Sequence, residues 1–368
     1  MATKRIIMIE PCGKRGIIHY THNLSNELVR LGHQVLLVTS LGFETKGLRR
    51  NYQAIEVFDR FMPHPFRFCN FLIRTVRIKP DIIHLQGAIH PILYFFLLKV
   101  LRRISRAKFI YTAHEVIPKG KKWYGNYGLL TRLYQIVNSI IVHANTSKEE
   151  IVGYFNIKPE KIFISLHGNY IFFRKISDDI EDSIERCSNQ KVILFFGIIE
   201  ERKGLIYLIR AFSQVRKKIY NVRLLIVGQP FEDVTPYLKE IKILNLQSWV
   251  DTHFEYIPVK EVSKYFRFAD IVVLPYIYAS QSGVIAAAYS FAKPVIATNC
   301  GGLSEMVEDG KSGFIVPAKD VESLTSAMVK ILKDDILRDR MGKYAERLAR
   351  EKFSWDKIAK GIERIYES

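Results

Sequence analysis

Short runs of β-branched and other apolar residues alternate along the chain with stretches of helical periodicity, and this alternation constrains the fold more than any other feature. The first series of strand-like runs comprises RIIMIE, QVLLVTS, DIIHLQG, KFIYTAH, SIIVHANT and KIFISLHG. A second series comprises KVILFFG, VRLLIVGQ, VDTHFEYI, DIVVLPY, PVIATNC and GFIVPA. Strands that alternate with helices are typical of βαβ units in a parallel sheet. The sequence therefore predicts an α/β protein with two successive Rossmann-like, doubly wound parallel sheets.

The length of 368 residues also favours two hydrophobic cores rather than one. The stretch SDDIEDSIERCSNQ has no strand character and separates the two series, which places the boundary near residues 169–190. We expect an N-terminal domain over residues 1–170 and a C-terminal domain over residues 171–350. The amphipathic end, residues 351–368, is predicted to be a helix that returns to the N-terminal domain.

Composition favours a folded protein of a reducing compartment. The four cysteines, Cys12, Cys69, Cys187 and Cys300, lack the close spacings of metal sites or disulfide frameworks, so we expect free thiols and no metal. The N-terminus runs directly into a strand, and no apolar run approaches the roughly 20 residues that span a bilayer. These features predict a cytoplasmic protein without a membrane span.

Positive charge is concentrated in the first half of the chain. Residues 1–170 carry 25 Lys and Arg against 10 Asp and Glu, whereas the remainder carries 30 against 27. Basic and aromatic residues interleave at 64–79 and 92–108, a pattern that fits amphipathic helices at an anionic membrane interface. A core-facing helix with a solvated basic face is the alternative for either segment. Nucleic acid is not expected, because no nucleic-acid motif accompanies the charge.

Ligands of open α/β sheets lie beyond the carboxyl ends of the strands, so the loops after the strands are the candidate sites. The glycines of the loop at 11–16 and the following helix start suit a phosphate, with a tight turn as the alternative. The loop at 197–204 places Arg202 and Lys203 where they could neutralise a diphosphate, with a solvated charged loop as the alternative.

Two further loops, each after a strand of the second series, also place small residues or glycines before a helix start. At 279–285, small residues and the hydroxyls of Ser280 and Ser282 precede a helix, so they could cradle an anion or simply cap the helix. At 299–305, two glycines precede Glu305, which could bind a hydroxyl or favour the helix dipole.

In order and spacing, these segments resemble family-four glycosyltransferases of the GT-B fold over essentially the whole chain. The resemblance rests on GIIHYTHNLSNELVRLGHQVLLVTS, FGIIEERKGLIYLIRAF, ADIVVLPY and AKPVIATNCGGLSEMVEDGKSGFIV. It implies two domains facing across a cleft, with the acceptor on the N-terminal domain and the nucleotide sugar on the C-terminal one. It also implies transfer with retention of configuration and without a metal or another cofactor.

The resemblance also implies roles for individual residues. Lys203 corresponds to the family's diphosphate-binding lysine, Gly16 to the glycine whose amide approaches the sugar-donor phosphate, and His114 to the histidine beside the reacting sugar. We assign His114, Lys203 and Arg202 to catalysis. The sugar donor and its nucleotide are assigned to Gly16, Gly197, Ser280, Gln281, Ser282, Gly283, Val284, Tyr256, Ile257 and Glu305.

Two departures from the family pattern change what can be carried over. Ile198 stands where the family usually has an arginine, and Arg202 is the candidate to supply that charge. Ala279 and Ala287 stand where the family has a pair of glutamates separated by seven residues, so the family's contacts to the sugar and the ribose are not carried over. We interpret the site as a variant one, with Gln281, Ser282 and Tyr289 as the polar residues nearby.

These features predict a hexosyltransferase that takes a sugar from a UDP- or GDP-linked donor to a lipid-linked or polysaccharide acceptor. We expect it to act as a peripheral protein on the cytoplasmic face of a membrane. A catalytically silent partner subunit that kept the fold is one alternative. A UDP-sugar epimerase is another, against which the GGLSE and EERKG segments argue.

Overall fold

The computed structural model describes residues 2–59, 62–87, 91–117, 127–176 and 190–368, which fall into two units. The first unit runs to His167 and also includes Trp355–Ser368, and the second unit is Gly168–Ser354. Most of the expected linker, together with Cys187, lies outside the described residues. Cys12, Cys69 and Cys300 are free thiols.

The first unit contains an eight-stranded sheet in the order β4-β3-β2-β1-β5-β6-β7-β8. Its strands are β1 Arg5–Glu10, β2 Gln34–Ser40, β3 Gln53–Asp59, β4 Met62–Pro63, β5 Ile82–Gln86, β6 Lys108–Thr112, β7 Ser139–Val142 and β8 Ile162–Ile164. Its helices are α1 Arg15–Arg30, α2 Pro65–Ile78, α3 Pro91–Ile104, α4 Tyr127–Ile136 and α5 Asn145–Phe155. All pairs are parallel except β3 with β4.

The second unit contains a six-stranded parallel sheet in the order β11-β10-β9-β12-β13-β14. Its strands are β9 Lys191–Phe196, β10 Val222–Val227, β11 Val250–His253, β12 Ile271–Leu274, β13 Val295–Thr298 and β14 Gly313–Val316. Its helices are α6 Phe172–Ile176, α7 Leu205–Lys218, α8 Thr235–Ile243, α9 Val262–Phe268, α10 Gly283–Ser290, α11 Leu303–Met306, α12 Val321–Lys333 and α13 Asp335–Glu351. Two doubly wound parallel sheets are therefore confirmed.

The central strands are continuous apolar runs because helices cover both faces of each sheet. In β1, residues Ile6 to Glu10 are all buried, and in β12 all four residues are buried. Strand order reverses beside the first strand of each sheet, between β1 and β5 and between β9 and β12. Each reversal leaves room for a ligand at the carboxyl edge, because the adjacent loops lead to opposite faces of the sheet.

The sequence prediction omitted two strands and lengthened a third. Strand β3, QAIEVFD, is only partly buried, so its alternating polar residues obscured it. The two-residue strand β4 pairs antiparallel with it at the edge of the sheet. Strand β11 ends at His253, earlier than the predicted VDTHFEYI.

The last helix, α14 (Trp355–Glu367), packs in the first unit against α1. Its apolar face joins the core through Trp355, Ile358 and Ile362. Buried polar contacts fix its position, because the Tyr366 hydroxyl lies 2.7 Å from His84 Nδ1 and Glu363 lies 3.0 Å from His33. This helix thus completes one face of the first sheet.

The two basic amphipathic segments occupy different environments. Helix α3 belongs to the core of the first unit, where Tyr94, Leu97, Leu98 and Leu101 are buried, so the core-facing interpretation applies to it. Helix α2 buries one face but exposes apolar side chains on the opposite one, including Phe66 at 84% exposure. Within the residues described, no helix combines the length and apolar character needed to cross a bilayer.

Candidate functional site

Most of the predicted site residues lie at the carboxyl edge of the second sheet, around the reversal between β9 and β12. The loop after β9 contains Gly197, Arg202 and Lys203, and its 3₁₀ turn spans Glu201–Lys203. The loop after β12 leads into α10 at Gly283. Because β9 and β12 are adjacent, these two loops are neighbours.

The two loops contact each other through main-chain atoms. The amide of Ile277 donates to the carbonyl of Arg202 over 2.8 Å. Gly204 has a φ of 65°, and a Cβ atom there would lie 1.9 Å from the carbonyl oxygen of Pro275. Only glycine satisfies both the left-handed backbone and this approach. The two loops can therefore approach this closely only because residue 204 has no side chain.

Lys203 is held against an aromatic ring of the neighbouring loop. Its Nζ lies 3.8 Å from the ring centroid of Tyr276, the second residue after β12. The Tyr276 hydroxyl is hydrogen-bonded to Ser282, and burial raises the pKa of Tyr276 to about 12, so the ring stays neutral. The contact is a cation–π interaction that fixes the ammonium group at the sheet edge. The structure thus brings Lys203 and Ser282 to one place through a tyrosine that joins them.

Arg202 has a carboxylate partner in its own loop. Its guanidinium lies 2.6 Å from Glu200, and both side chains are about one quarter exposed. This ion pair partly neutralises the positive charge that the sequence assigned to a diphosphate. Roles for Arg202 and Lys203 in binding phosphate stay predictions.

The serine of the α10 start caps the helix. Ser282 Oγ accepts from the amide of Val284 over 3.3 Å, which is the N-cap arrangement. The Tyr276 hydroxyl is a second hydrogen-bond partner of the same side chain. The neighbouring Gln281 differs, because its Oε1 is buried and has no hydrogen-bond partner among the described residues. Leaving a buried amide oxygen unpaired costs free energy, so a hydroxyl that reached Gln281 would be stabilised there.

The loop after β13 closes against the same place. The amide of Gly302 donates to the carbonyl of Ser280 over 3.1 Å. Gly301 packs directly on the carbonyl of Ala279. Ala279 and Ala287, which the sequence analysis aligned with the family's two glutamates, are both buried. Glu305 lies in the first turn of α11 and is half-buried.

The remaining predicted nucleotide residues lie on both sides of this cluster. A Cβ at Gly197 would contact Val284, so these two predicted residues are neighbours across the two loops. Tyr256 and Ile257 follow β11 at the edge of the sheet, two strands away from β9. The structure therefore groups the assigned residues of the loops after β9 and β12, whereas Tyr256 and Ile257 follow the edge strand.

In the first unit, carboxylates occupy the amides of the loop after β1. The amides of Cys12 and Gly13 donate to Glu10 over 3.1 and 2.8 Å, and the amide of Arg15 donates to Glu44 over 3.0 Å. These three amides serve the turn, which is the alternative interpretation of this loop. Gly16, in the first turn of α1, is exposed and keeps its assignment as a prediction.

Glu10 is a fully buried carboxyl at the end of the central strand. Burial raises its pKa to about 7, although hydrogen bonds from Gly13, Cys12 and Thr39 oppose the rise. The sequence analysis did not single out this residue, which appears there only as the last residue of the run RIIMIE. Its position directly before a Gly-containing turn was the available signal.

His114 follows β6 and is buried, with its Nδ1 3.1 Å from Nε2 of His143 and its Nε2 3.1 Å from the side-chain oxygen Oε1 of Gln86. Burial and the neighbouring histidines hold the pKa of His114 well below its usual value. Gly87 permits this position, since a Cβ there would lie 3.2 Å from the His114 ring. His143 and Gln86 were not predicted, although both stand at strand ends beside β6.

Two family models match the chain. One, described as Glycosyltransferase Family 4, matches residues 15–168, and the other, described as Glycosyl transferases group 1, matches residues 190–334. An uncharacterized glycosyltransferase of Methanocaldococcus jannaschii is 24% identical over 96% of this chain and 94% of its own length. A phosphatidyl-myo-inositol mannosyltransferase of Mycobacterium leprae is 30% identical over 48% of this chain and 46% of its own.

Solved structures share the fold. Sucrose-phosphate synthase of Thermosynechococcus elongatus matches with a TM-score of 0.75 and 18% identity, covering 99% of this chain and 98% of the other. Anabaena HepE in complex with UDP-glucose matches with a TM-score of 0.75 and 17% identity, covering 99% of both chains. At sequence identities this low, the likeness shows the fold alone.

The contact at Gly204 gives a testable consequence. Gly204→Ala combines a left-handed backbone with a clash against Pro275, so we expect it to lower the free energy of unfolding by about 3 kcal/mol or more. Gly310→Ala is the matched control, because Gly310 has a φ of 74° and open space around the added Cβ. Its expected cost is about 1 kcal/mol. Equal costs in urea unfolding would contradict the contact.

Glu10 predicts a pH dependence. An unfolded glutamic acid loses its proton near pH 4.5, whereas folded Glu10 keeps it to about pH 7. The unfolded state therefore binds fewer protons between these values, and stability falls as the pH rises through them. Glu10→Gln removes this effect. The free energy of unfolding of Glu10→Gln, relative to that of the wild type, should therefore rise by about 3 kcal/mol between pH 5 and 8. Parallel pH profiles in urea unfolding would refute the shift.

Proposed function

We propose that this chain, which belongs to the family-four glycosyltransferases of the GT-B fold, transfers a sugar from a nucleoside diphosphate sugar to a hydroxyl of a lipid-linked or saccharide acceptor. Configuration at the transferred carbon is retained. The donor is linked to UDP or GDP, and neither a metal nor a further cofactor takes part.

The observation that carries the proposal is the placement of Lys203. Its ammonium group is held on Tyr276 where the strand order of the second sheet reverses, next to the start of α10. A helix start attracts anions through its amides and dipole, and the lysine adds a full charge. A diphosphate placed there would meet both. The buried Oε1 of Gln281 offers a hydrogen-bond acceptor to a hydroxyl of the same ligand.

The proposed reaction breaks the bond between the anomeric carbon and the diphosphate oxygen. The electron pair leaves with the diphosphate, the acceptor hydroxyl forms the new bond on the same face of the sugar, and its proton passes to the departing diphosphate oxygen. Stabilising the charge that develops on the diphosphate is the main task of the protein. Lys203 performs it, and no protein nucleophile is required.

Relatives support the nature of the substrates. A D-inositol 3-phosphate glycosyltransferase of Corynebacterium kroppenstedtii is 28% identical over 63% of this chain and 54% of its own length. The mycobacterial relative described above is named for a phosphatidylinositol substrate, which favours a lipid-linked acceptor here. HepE was solved with UDP-glucose, which favours a nucleotide-linked sugar as the donor.

A membrane surface is the proposed place of action, on its cytoplasmic side. Four exposed side chains of α2, Phe66, Cys69, Ile73 and Val76, follow a spacing of three, four and three residues and so share one face. The opposite face contacts the core through Phe71. Exposed arginines, among them Arg74 and Arg77, accompany the apolar stripe. An apolar face with basic neighbours suits the interface of an anionic bilayer.

Lys203→Met tests the phosphate assignment. Methionine keeps an apolar stem against Tyr276 but removes the charge, so the fold should persist. Losing a charge-assisted hydrogen bond should weaken binding of UDP or GDP about ten- to hundredfold and lower turnover at least as much. Calorimetry with both nucleotides and mass spectrometry of the transfer products provide the two readouts.

Lys330→Met is the matched control, because Lys330 lies 4.8 Å over the ring of Phe314 elsewhere in the second unit. It should bind nucleotide and turn over like the wild type. Full activity of Lys203→Met would remove the phosphate assignment. A folded wild type that binds neither nucleotide would instead support a catalytically silent subunit.

The exposed stripe of α2 predicts membrane binding. Replacing Phe66 and Ile73 together by serine removes two exposed side chains, so the fold should persist while affinity for phosphatidylglycerol vesicles falls about tenfold or more. Replacing Ile243 and Ile336, exposed residues of the second unit, by serine is the matched control and should leave binding unchanged. Equal co-sedimentation of the two variants would exclude the α2 surface.

A further inference from the structure

Three hydrogen bonds link Ser165, His143, His114 and Gln86 in a row. His143 Nδ1 lies 2.7 Å from the carbonyl oxygen of Ser165, and His143 Nε2 lies 3.1 Å from His114 Nδ1. His114 Nε2 lies 3.1 Å from Oε1 of the Gln86 amide. All four residues are buried. They stand at the carboxyl ends of the neighbouring strands β5 to β8, so the sheet itself aligns them.

The carbonyl of Ser165, at one end of this row, determines where the protons on the two histidines lie. The carbonyl of Ser165 only accepts, so His143 carries its proton on Nδ1. Burial lowers the pKa of His143 to about 4, so the ring is neutral near pH 7 and its Nε2 is a bare acceptor. His114 must then donate from Nδ1. Because His114 is neutral as well, its Nε2 has no proton.

At the other end of the row, Gln86 Oε1 stands 3.1 Å from His114 Nε2, and the assignment requires this amide to be turned by 180° so that its nitrogen faces the ring. The oxygen and nitrogen of such an amide are distinguished by their hydrogen-bond partners. The other end of the amide, Nε2, lies 3.2 Å from His84 Nε2, which also lies 2.7 Å from Thr112 Oγ1. After the turn, the Gln86 oxygen shares the proton on His84 Nε2 with Thr112. Each of the three hydrogen bonds then has one donor and one acceptor, without any charged imidazole.

Packing holds the rings in this arrangement. Tyr20 contacts His114 and His143 edge-on, with ring centroids 4.9 and 5.2 Å away. Gly87 makes space for this ring, because a Cβ there would lie 3.2 Å from His114 Cδ2. The orientation of His114 is therefore set by contacts on several sides as well as by its hydrogen bonds.

We infer that His143 is a positioning residue, which holds His114 as the tautomer protonated on Nδ1 and so makes His114 Nε2 a hydrogen-bond acceptor. In the proposed transfer, a sugar hydroxyl donates to this nitrogen in exchange for the Gln86 amide. His114 then neither donates a proton to the substrate nor contributes a positive charge. The role of His114 toward the sugar rests on the proposed function, whereas its tautomer is a property of the protein alone.

Nitrogen-15 NMR of histidine-labelled protein at pH 7 reads the tautomer without substrate, and His114→Gln identifies the signal. We expect Nδ1 of His114 to be protonated and Nε2 to be bare in the wild type. His143→Phe removes the acceptor and should move His114 to the Nε2-protonated form, with about tenfold lower turnover. His143→Gln keeps an amide oxygen that can accept from Nδ1, so it should retain the tautomer and most of the turnover.

Two results would overturn the inference: a wild-type His114 protonated on Nε2 or on both nitrogens, or an unchanged tautomer in His143→Phe. The wild-type spectrum decides the first even where His143→Phe does not fold. An inactive wild type with the expected tautomer would remove the proposed function and leave the positioning by His143 intact.

Discussion

The contact of Gly204 with the carbonyl of Pro275 is the constraint on which the candidate site depends. The loops after β9 and β12 diverge to opposite faces of the sheet, and this approach keeps them together where they start. With the loops held, Lys203 reaches the ring of Tyr276, and Tyr276 reaches the cap of α10. One residue without a side chain thus places a fixed cation beside a helix start, which is the arrangement that binds diphosphates.

The variant chemistry follows from the same cluster. Ala279 and Ala287 are buried where the family has carboxylates, so the cluster around Lys203 lacks two negative charges. In the proposed function, a diphosphate beside Lys203 would therefore meet less competition from neighbouring acids. The cost is the loss of two hydrogen-bond acceptors for sugar and ribose hydroxyls. The buried oxygen of Gln281 is the acceptor that the same loop offers in their place.

The fold was largely readable from the sequence, whereas the partners of the site residues were not. Buried parallel strands are apolar on both faces, so their runs stand out, but the half-exposed β3 did not. Lys203 and His114 were assigned by resemblance, and their roles stay predictions. The pairing of Arg202 with Glu200 and the line from His143 to His114 depend on side-chain directions, which no local pattern contains. Likewise, α2 and α3 have similar sequences, and only the packing of the first unit shows which of them is buried.

A crystal structure of the protein with UDP or GDP tests the central claim most directly. The account predicts that the β-phosphate lies within hydrogen-bond distance of Lys203 Nζ and of the first amides of α10. Lys203 would move from the centre of the Tyr276 ring by no more than a rotamer change. A nucleotide whose phosphates lie away from the loops after β9 and β12, with Lys203 still seated on Tyr276, would contradict it.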